Sequence, residues 1–427
     1  MDTSPVVTLK RELSYFTRRL CGDIKTPESR AHFRTYVQGQ LSNLERKSVA
    51  PMALAAGVSP RTLQEFLEIH RWDPDQVRCR LQQVVMADHG DAEAIGAIDE
   101  TSYAKKGDHT AGVQPQYCGA RGKTDNCVVT VHLGYVSTGF HALIDSDLFL
   151  PEHTWGADRE RCRTAGIPDE VAYRPKWRIG LDLLARSWAQ GIRLAWLVAD
   201  EDYGQCHWFR QEVASYGIAY IVEVPCSLKG WTKRPPTFQA RIRAHVASWA
   251  KPSRRVDQLW QRGGPSWETF HVKDTDKGAV VWEVRVSRFF PWEEGLPGPE
   301  QWLLIAHQVL TGEVKYFLSN APRDTPLTKV LEVAFSRHHI ERLFEDAKGQ
   351  VGLDHFEVRK YQPLMRHLVL SMASLLFLVR QLPREEGKKT IVECAPTPSP
   401  RRRVAGSGLD PAGTATKTPP APHPDRL

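Results

Sequence analysis

Three carboxylates occupy positions where a carboxylate is costly unless it meets a cation. Asp99 closes the apolar run Ala-Ile-Gly-Ala-Ile-Asp, and Asp200 closes Arg-Leu-Ala-Trp-Leu-Val-Ala-Asp. A charge at the end of a buried strand needs a partner or a bound ion. If the two strands lie side by side, the aspartates repel each other, and a divalent metal removes the conflict. Mg²⁺ prefers carboxylate oxygens and keeps several waters, which suits phosphodiester chemistry. Two such ions about 3.5–4 Å apart would activate a nucleophile and stabilise the leaving oxygen. Taken singly, each aspartate is equally an ordinary turn or N-cap residue after a strand.

The third element is the segment Arg337-His-His-Ile-Glu341-Arg-Leu-Phe-Glu-Asp-Ala-Lys348. Helical geometry puts Arg337, Glu341 and Lys348 on one face, so a carboxylate is flanked by two cations. Ile340, Leu343, Phe344 and Ala347 lie beside them and can pack on a sheet. An Arg–Glu pair at this spacing is, by itself, a surface salt bridge. Glu345 competes with Glu341 as third ligand, Glu201 and Asp202 with Asp200, and Glu100 with Asp99. His338 and His339 face different ways on a helix, and two-metal chemistry needs neither, so they read as surface or DNA-backbone contacts.

The elements that must position these groups follow from patterning. Residues 1–90 read as a helical N-terminal DNA-binding domain. Leu9, Leu13, Phe16 and Leu20 recur at helical spacing, and Ser59-Pro60 marks a helix start. Two short helices joined by Ala-Ala-Gly-Val-Ser-Pro resemble a helix-turn-helix, and a plain packed helical domain reads equally well. Residues 91–226 carry strands alternating with a helix, a mixed α/β core. The helix is Lys-Trp-Arg-Ile-Gly-Leu-Asp-Leu-Leu-Ala-Arg-Ser-Trp-Ala-Gln-Gly, ending at Gly191. Residues 227–300 break the rhythm and read as a mainly β insertion rich in Arg, Trp, Pro and Gly. There, Trp231, Trp249, Trp260 and Trp267 are candidates to stack on an unpaired base or to pack the sheet. Arg241–Arg255 is a candidate phosphate track or a solvated face. Residues 301–382 complete the core. They hold one long helix over 325–350, with Thr325 as N-cap and Pro326 first, and then a buried helix. Residues 383–427 form a basic, Pro-rich tail of disordered composition.

The chain has 427 residues, 13 Trp, 15 Phe and 11 Tyr, enough to fill a sizeable core, and its net charge of +7 favours an acidic partner. Its eight cysteines form no Cys-x-x-Cys, which fits scattered reduced thiols rather than a zinc pattern. The N-terminus lacks the apolar core of a signal peptide, and the apolar run Leu368–Val379 is short for a membrane span. A cytoplasmic protein with no membrane partner is expected.

Together these segments resemble the DDE transposases of bacterial insertion sequences, in the branch whose third motif reads Tyr-(2)-Arg-(3)-Glu-(6)-Lys. Arg337, Glu341 and Lys348 stand in that register. The stretches around Asp99 (Ala-Ile-Asp-Glu-Thr-Ser-Tyr) and Asp200 (Val-Ala-Asp-Glu-Asp-Tyr-Gly) match as well, as does Tyr-Val-Gln-Gly-Gln-Leu-Ser-Asn-Leu-Glu-Arg near the start. The likeness runs from about residue 10 to 380, and it departs where the tyrosine position falls on Ala334. It implies a ribonuclease H-like (retroviral-integrase-type) α/β core. It implies Asp99, Asp200 and Glu341 as catalytic ligands of two Mg²⁺ or Mn²⁺ ions. Arg337 and Lys348 would contact DNA phosphates. The partners implied are double-stranded DNA, as terminal inverted repeats and target, and a second copy of the chain on paired ends. The activity implied is metal-dependent cleavage at insertion-sequence ends with strand transfer. The rival readings are a catalytically silent, transposase-derived DNA-binding protein and a ribonuclease H-like nuclease of other purpose.

Overall fold

Five helices lead the chain: α1 (Ser4–Leu20), α2 (Pro27–Gln40), α3 (Val49–Ala55), α4 (Pro60–Glu68) and α5 (Pro74–His89). The computed structural model describes residues 4–381 other than 240–242, 260–263 and 276–277, together with residues 393–394. Proline opens α2, α4 and α5, where a missing N–H costs nothing. Thr26 and Asp73 cap α2 and α5 by accepting from the backbone N–H of Ser29 and Asp75. Ser59 stands at the N-cap of α4 without a side-chain cap bond. Of the leucine and phenylalanine series in α1, Phe16 and Leu20 are buried and Leu9 is exposed.

The sheet follows. Three strands run antiparallel in succession: β1 (Ile95–Ala104) pairs with β3 (Lys123–Ser137), and β3 with β4 (Phe140–Leu148), while β2 (Gln114–Cys118) adds to the edge of β3. Helices α6 (Arg159–Thr164) and α7 (Lys176–Ala189) then lead to β5 (Trp196–Ala199), which lies parallel to β1. Next come α8 (Glu201–Gly204), α9 (His207–Ser215) and β6 (Ala219–Glu223), the last parallel to β5. All four residues of β5 are buried, as expected of a strand covered on both faces. The order β4-β3-β1-β5-β6, antiparallel then parallel, is the ribonuclease H-like arrangement that the resemblance implies.

β1 is longer than its apolar run. Asp99 was expected to end the strand, yet β1 continues to Ala104 because residues 99–104 stay paired with β3, from Asp99 opposite His132 to Ala104 opposite Cys127. Only the parallel partner stops, at Ile98 opposite Ala199.

Beyond β6 the sheet does not end. The segment β7 (Lys229–Trp231), β8 (Thr237–Gln239), β9 (Ala244–Val246), β10 (Arg254–Arg255), β11 (Glu268–Thr275), β12 (Gly278–Glu293), β13 (Leu296–Pro297), β14 (Gln301–Gln308) and β15 (Val314–Ser319) is mainly β. β15 pairs antiparallel with β6, β14 with β15, and β12 with β14, so these strands continue the core sheet sideways.

The single helix expected over 325–350 is two: α10 (Leu327–Phe335) and α11 (His338–Val351). Ser336 ends α10, its backbone N–H and its hydroxyl both donating to the Val333 carbonyl. Such local bonding of serine competes with helix continuation. Pro326, not Thr325, takes the N-cap of α10, and no side chain caps it.

The last helix, α12 (Tyr361–Gln381), is the centre of the helical layer. By length and composition it could cross a membrane, but 78% of its apolar window is buried inside the protein. It packs against α1, α2, α4, α5, α11 and β4. Its polar groups are paired across that core: Gln40 Nε2 donates to Ser371 Oγ at 2.7 Å, and Arg366 donates to the carbonyls of Phe66, Leu67, His70 and Trp72. The tail expected over 383–427 lies outside the described residues, apart from 393–394.

One consequence is measurable. His367 is fully buried; its Nε2 faces the Leu353 carbonyl at 3.0 Å and its Nδ1 the Tyr36 hydroxyl at 2.9 Å. A carbonyl only accepts, so Nε2 carries the proton and Nδ1 accepts from tyrosine. Burial pushes His367 down to about 4 from 6.5. The unfolded chain therefore takes up a proton below pH 6.5 that the fold refuses, and stability falls as pH drops toward 4. Urea midpoints are expected to show a loss of about 3 kcal/mol across that window, absent from His367→Gln.

Candidate active site

The parallel ladder between β1 and β5 ends at Ile98 and Ala199, so Asp99 and Asp200 are the next residues on each strand. Asp99 stays in the strand with its side chain 12% exposed. Asp200 leaves β5 and caps α8, accepting from the Asp202 N–H at 3.0 Å. Burial pushes the Asp99 carboxyl up to about 8; Arg337 opposes this, while Asp200 and Glu100 add to it. Burial likewise raises Asp200 to about 6, with Glu100 and Asp202 adding. Two carboxyls that resist ionisation side by side are what a divalent ion would relieve.

Arg337 holds the centre. It donates to Asp99 Oδ2 at 2.8 Å, to Glu341 Oε1 at 2.7 Å and to Glu223 Oε1 at 3.2 Å. Its position in the link between α10 and α11 aims the guanidinium back at the sheet, while Glu341, in the first turn of α11, remains 54% exposed. The structure thus joins Asp99 to Glu341 through a cation rather than directly. Among the described residues, the set of three metal-ligating side chains whose ligand atoms all lie within 4.8 Å of one another is elsewhere, at Glu28, His32 and His70.

Lys348, expected on the same helical face, reaches the far part of β1. Its ammonium lies 3.3 Å from the Ser102 carbonyl oxygen and 5.6 Å above the Tyr103 ring, and burial lowers its pKa. The rival carboxylates are placed differently. Glu100 is ion-paired with Lys176 and accepts from the Tyr203 hydroxyl at 2.8 Å. Asp202 lies 3.8 Å from the same lysine, and Glu201 and Glu345 are exposed. The His339 ring lies 5.4 Å from that of His141, tilted against it, and His338 Nδ1 sits 2.6 Å from the Phe335 carbonyl oxygen.

Glu223 was missed in the sequence. It ends β6, the neighbour of β5, and shares Arg337 with Asp99 while also meeting Lys315 at 3.0 Å. The signal was present: Ala-Tyr-Ile-Val-Glu is a third apolar run closing on a carboxylate. Beside it opens a cavity of about 160 Å³ lined by Trp282, Phe317, Phe335, Arg337 and Glu341. Of the tryptophans beyond β6, Trp231 is buried and donates to the Lys251 carbonyl, Trp249 is exposed, and Trp267 lies under the Arg285 guanidinium. Trp260 lies outside the described residues, as does Arg241, while Arg255 is paired with Asp257.

The donor set suits a hard cation. Asp99, Asp200, Glu341 and Glu223 offer only carboxylate oxygens, which favour Mg²⁺ or Mn²⁺ over softer ions.

Gly204 keeps α8 in place. A Cβ there would lie 1.9 Å from the Glu223 carbonyl oxygen and 2.9 Å from the Val222 Cβ. Gly204→Ala is therefore expected to push α8 off β6, dragging Asp200 with it. The cost should be about 1–3 kcal/mol in chemical denaturation, accompanied by loss of DNA cutting.

A sheet of this order, with paired aspartates beyond the β1–β5 ladder and a glutamate on the following helix, defines a ribonuclease H-like nuclease core. The chain belongs to the DDE superfamily endonucleases, whose family model matches residues 19–275, a stretch that includes Asp99 and Asp200 and ends before Glu341. DDE endonucleases use divalent metals. Over 203 residues it is 28% identical to a probable transposase for insertion sequence element IS701 from Microchaete diplosiphon, covering 47% of this chain and 50% of that protein. The match thus spans about half the length of that relative. Among solved structures, the Mos1 mariner paired-end complex with Mn is 14% identical over 43% of this chain and 56% of that one, with a TM-score of 0.17. The NurA nuclease from Sulfolobus solfataricus is 8% identical over 60% and 83%, with a TM-score of 0.21. Neither is close enough to bear on this site.

Proposed function

We propose that this protein is a transposase that cuts DNA at the ends of an insertion sequence and joins those ends to target DNA. The observation that carries the reading is the placement of Asp99 and Asp200 one step beyond the last parallel rung, with Glu341 tied to Asp99 through Arg337. Two Mg²⁺ or Mn²⁺ ions held by Asp99, Asp200 and Glu341 would supply activation of the attacking oxygen and charge stabilisation at the leaving one.

The chain's own residues do the rest. Arg337 holds Asp99 and Glu341 through its guanidinium and would contact a phosphate of the transposon end. Lys348 contacts a second phosphate farther along β1. Lys176 and the Tyr203 hydroxyl hold Glu100 away from the ligand set. Residues 1–90 bind the terminal inverted repeat, residues 91–226 and 301–382 form the catalytic core, and residues 227–300 are the insertion. The partners are double-stranded DNA and a second copy of the chain, in the cytoplasm and on the nucleoid.

The test is a plasmid carrying the element's terminal repeats. Cutting is expected with Mg²⁺ and not with a chelator, and Glu341→Ala is expected to bind the repeats without cutting. Cutting by Glu341→Ala at the parent's rate would remove Glu341 from the site. The pairing of Arg337 with both Asp99 and Glu341 favours one second reading, a silent DNA-binding descendant, for which binding without any Mg²⁺-dependent cutting is the signature.

A further inference from the structure

We propose that Glu28, His32 and His70 form a second metal site, remote in sequence from the carboxylate centre and suited to a zinc-class divalent ion. Glu28 and His32 are four residues apart on α2, and His70 follows Ile69, the C-cap of α4. One ligand atom from each lies within 4.8 Å of the others.

The second observation is an orphan. His32 Nε2 is buried and has no hydrogen-bond partner; the nearest carboxylate oxygen, Glu28 Oε1, is 3.6 Å away. A buried ring nitrogen left unpaired is costly, and an ion bound there would satisfy it. The third ligand is positioned in advance. His70 Nδ1 sits 2.8 Å from Ser29 Oγ, which Thr26 Oγ1 approaches at 2.7 Å. The His70 carbonyl accepts from Arg366 on α12 at 2.7 Å. Partners of this kind orient a ligating histidine.

The donors decide the ion. Two imidazoles and one carboxylate favour Zn²⁺ and its transition-metal relatives, with water completing the sphere, whereas the all-oxygen set around Asp99 favours Mg²⁺ or Mn²⁺. Zn–N bonds of about 2.0–2.1 Å require the ligands to draw together, and the exposed Glu28 side chain has room to move. A bound ion would clip α2 to the turn between α4 and α5, both already anchored on α12.

The test uses the full chain carrying Asp99→Asn and Asp200→Asn, so that the acidic centre takes no metal. Titration with Co²⁺, read by its visible absorption and displaced by Zn²⁺, is expected to show one tetrahedral ion per chain, unaffected by excess Mg²⁺. His32→Gln and His70→Gln should each weaken binding by about 100-fold. Glu28→Gln, at an exposed side chain, keeps the test readable if a histidine variant fails to fold; it should weaken binding by about 10-fold. Unchanged Co²⁺ affinity in Glu28→Gln and in a folded histidine variant, or no tetrahedral signal in the starting protein, overturns the site.

Discussion

Asp200→Asn is expected to lower Mg²⁺-dependent cutting of terminal-repeat DNA by about 10⁴-fold while leaving the fold at least as stable as before. The two effects have one origin. The Asp200 carboxyl is held at about 6, first by burial and then by Glu100 and Asp202. The unfolded chain ionises it near 3.8, so between pH 3.8 and 6 the fold retains a proton that the unfolded chain has released. Stability therefore falls as pH rises through that window, and at pH 7.5 the ionised group costs at most about 3 kcal/mol. Asparagine keeps the acceptor that caps α8 and removes the charge, so the thermal midpoint should hold or rise in a chelator. Mg²⁺ should raise the midpoint of the parent and leave that of Asp200→Asn unmoved. A variant that loses both activity and stability points instead to a structural role for Asp200.

Arg337→Ala is expected to be the most destabilising single change at this site in the absence of divalent ions. The guanidinium is 17% exposed and joins Asp99, Glu223 and Glu341. Removing one partner of a buried ion pair typically costs about 3–5 kcal/mol, because the charges left behind are uncompensated. Here three carboxylates lose a shared cation at once. Mg²⁺ or Mn²⁺ should restore part of that loss, and restore more in Arg337→Ala than the same ion adds to the parent, since the ion no longer competes with arginine for Asp99. Denaturation curves with and without metal decide it: equal metal effects in the two proteins would show that Arg337 and the ions do not share a place.

The aspartate pair was legible because both cues are local. An apolar run ending on a carboxylate needs only a parallel neighbour in register, and β5 supplies it at Ile98 and Ala199. The length of β1 was not legible, since residues 99–102 are polar and residues 99–104 are held in the sheet by β3 rather than by their own pattern. The stretch 325–350 was read as one continuous helix. Ser336, bonding back to Val333, divides it just before Arg337, which opens the second helix and points at three carboxylates. Glu223 was overlooked because its strand looked like simple core; its role appears only when β6 is known to lie beside β5. The site at Glu28, His32 and His70 was invisible for the same reason, since His70 joins the other two through folding alone.

The position of α12 bears on synthesis. Tyr36 and His367 meet across 331 residues of chain, and Gln40 meets Ser371 across the same span. As the chain leaves the ribosome, its first helices emerge long before the helix that completes their core. They must wait, exposing Phe33, Tyr36 and Phe66, until residues 361–381 arrive. A nascent or prematurely terminated chain would thus hold exposed apolar helices and no finished unit, a hazard for aggregation and a substrate for chaperones. The helical layer would stay unfinished until residues 361–381 have been made.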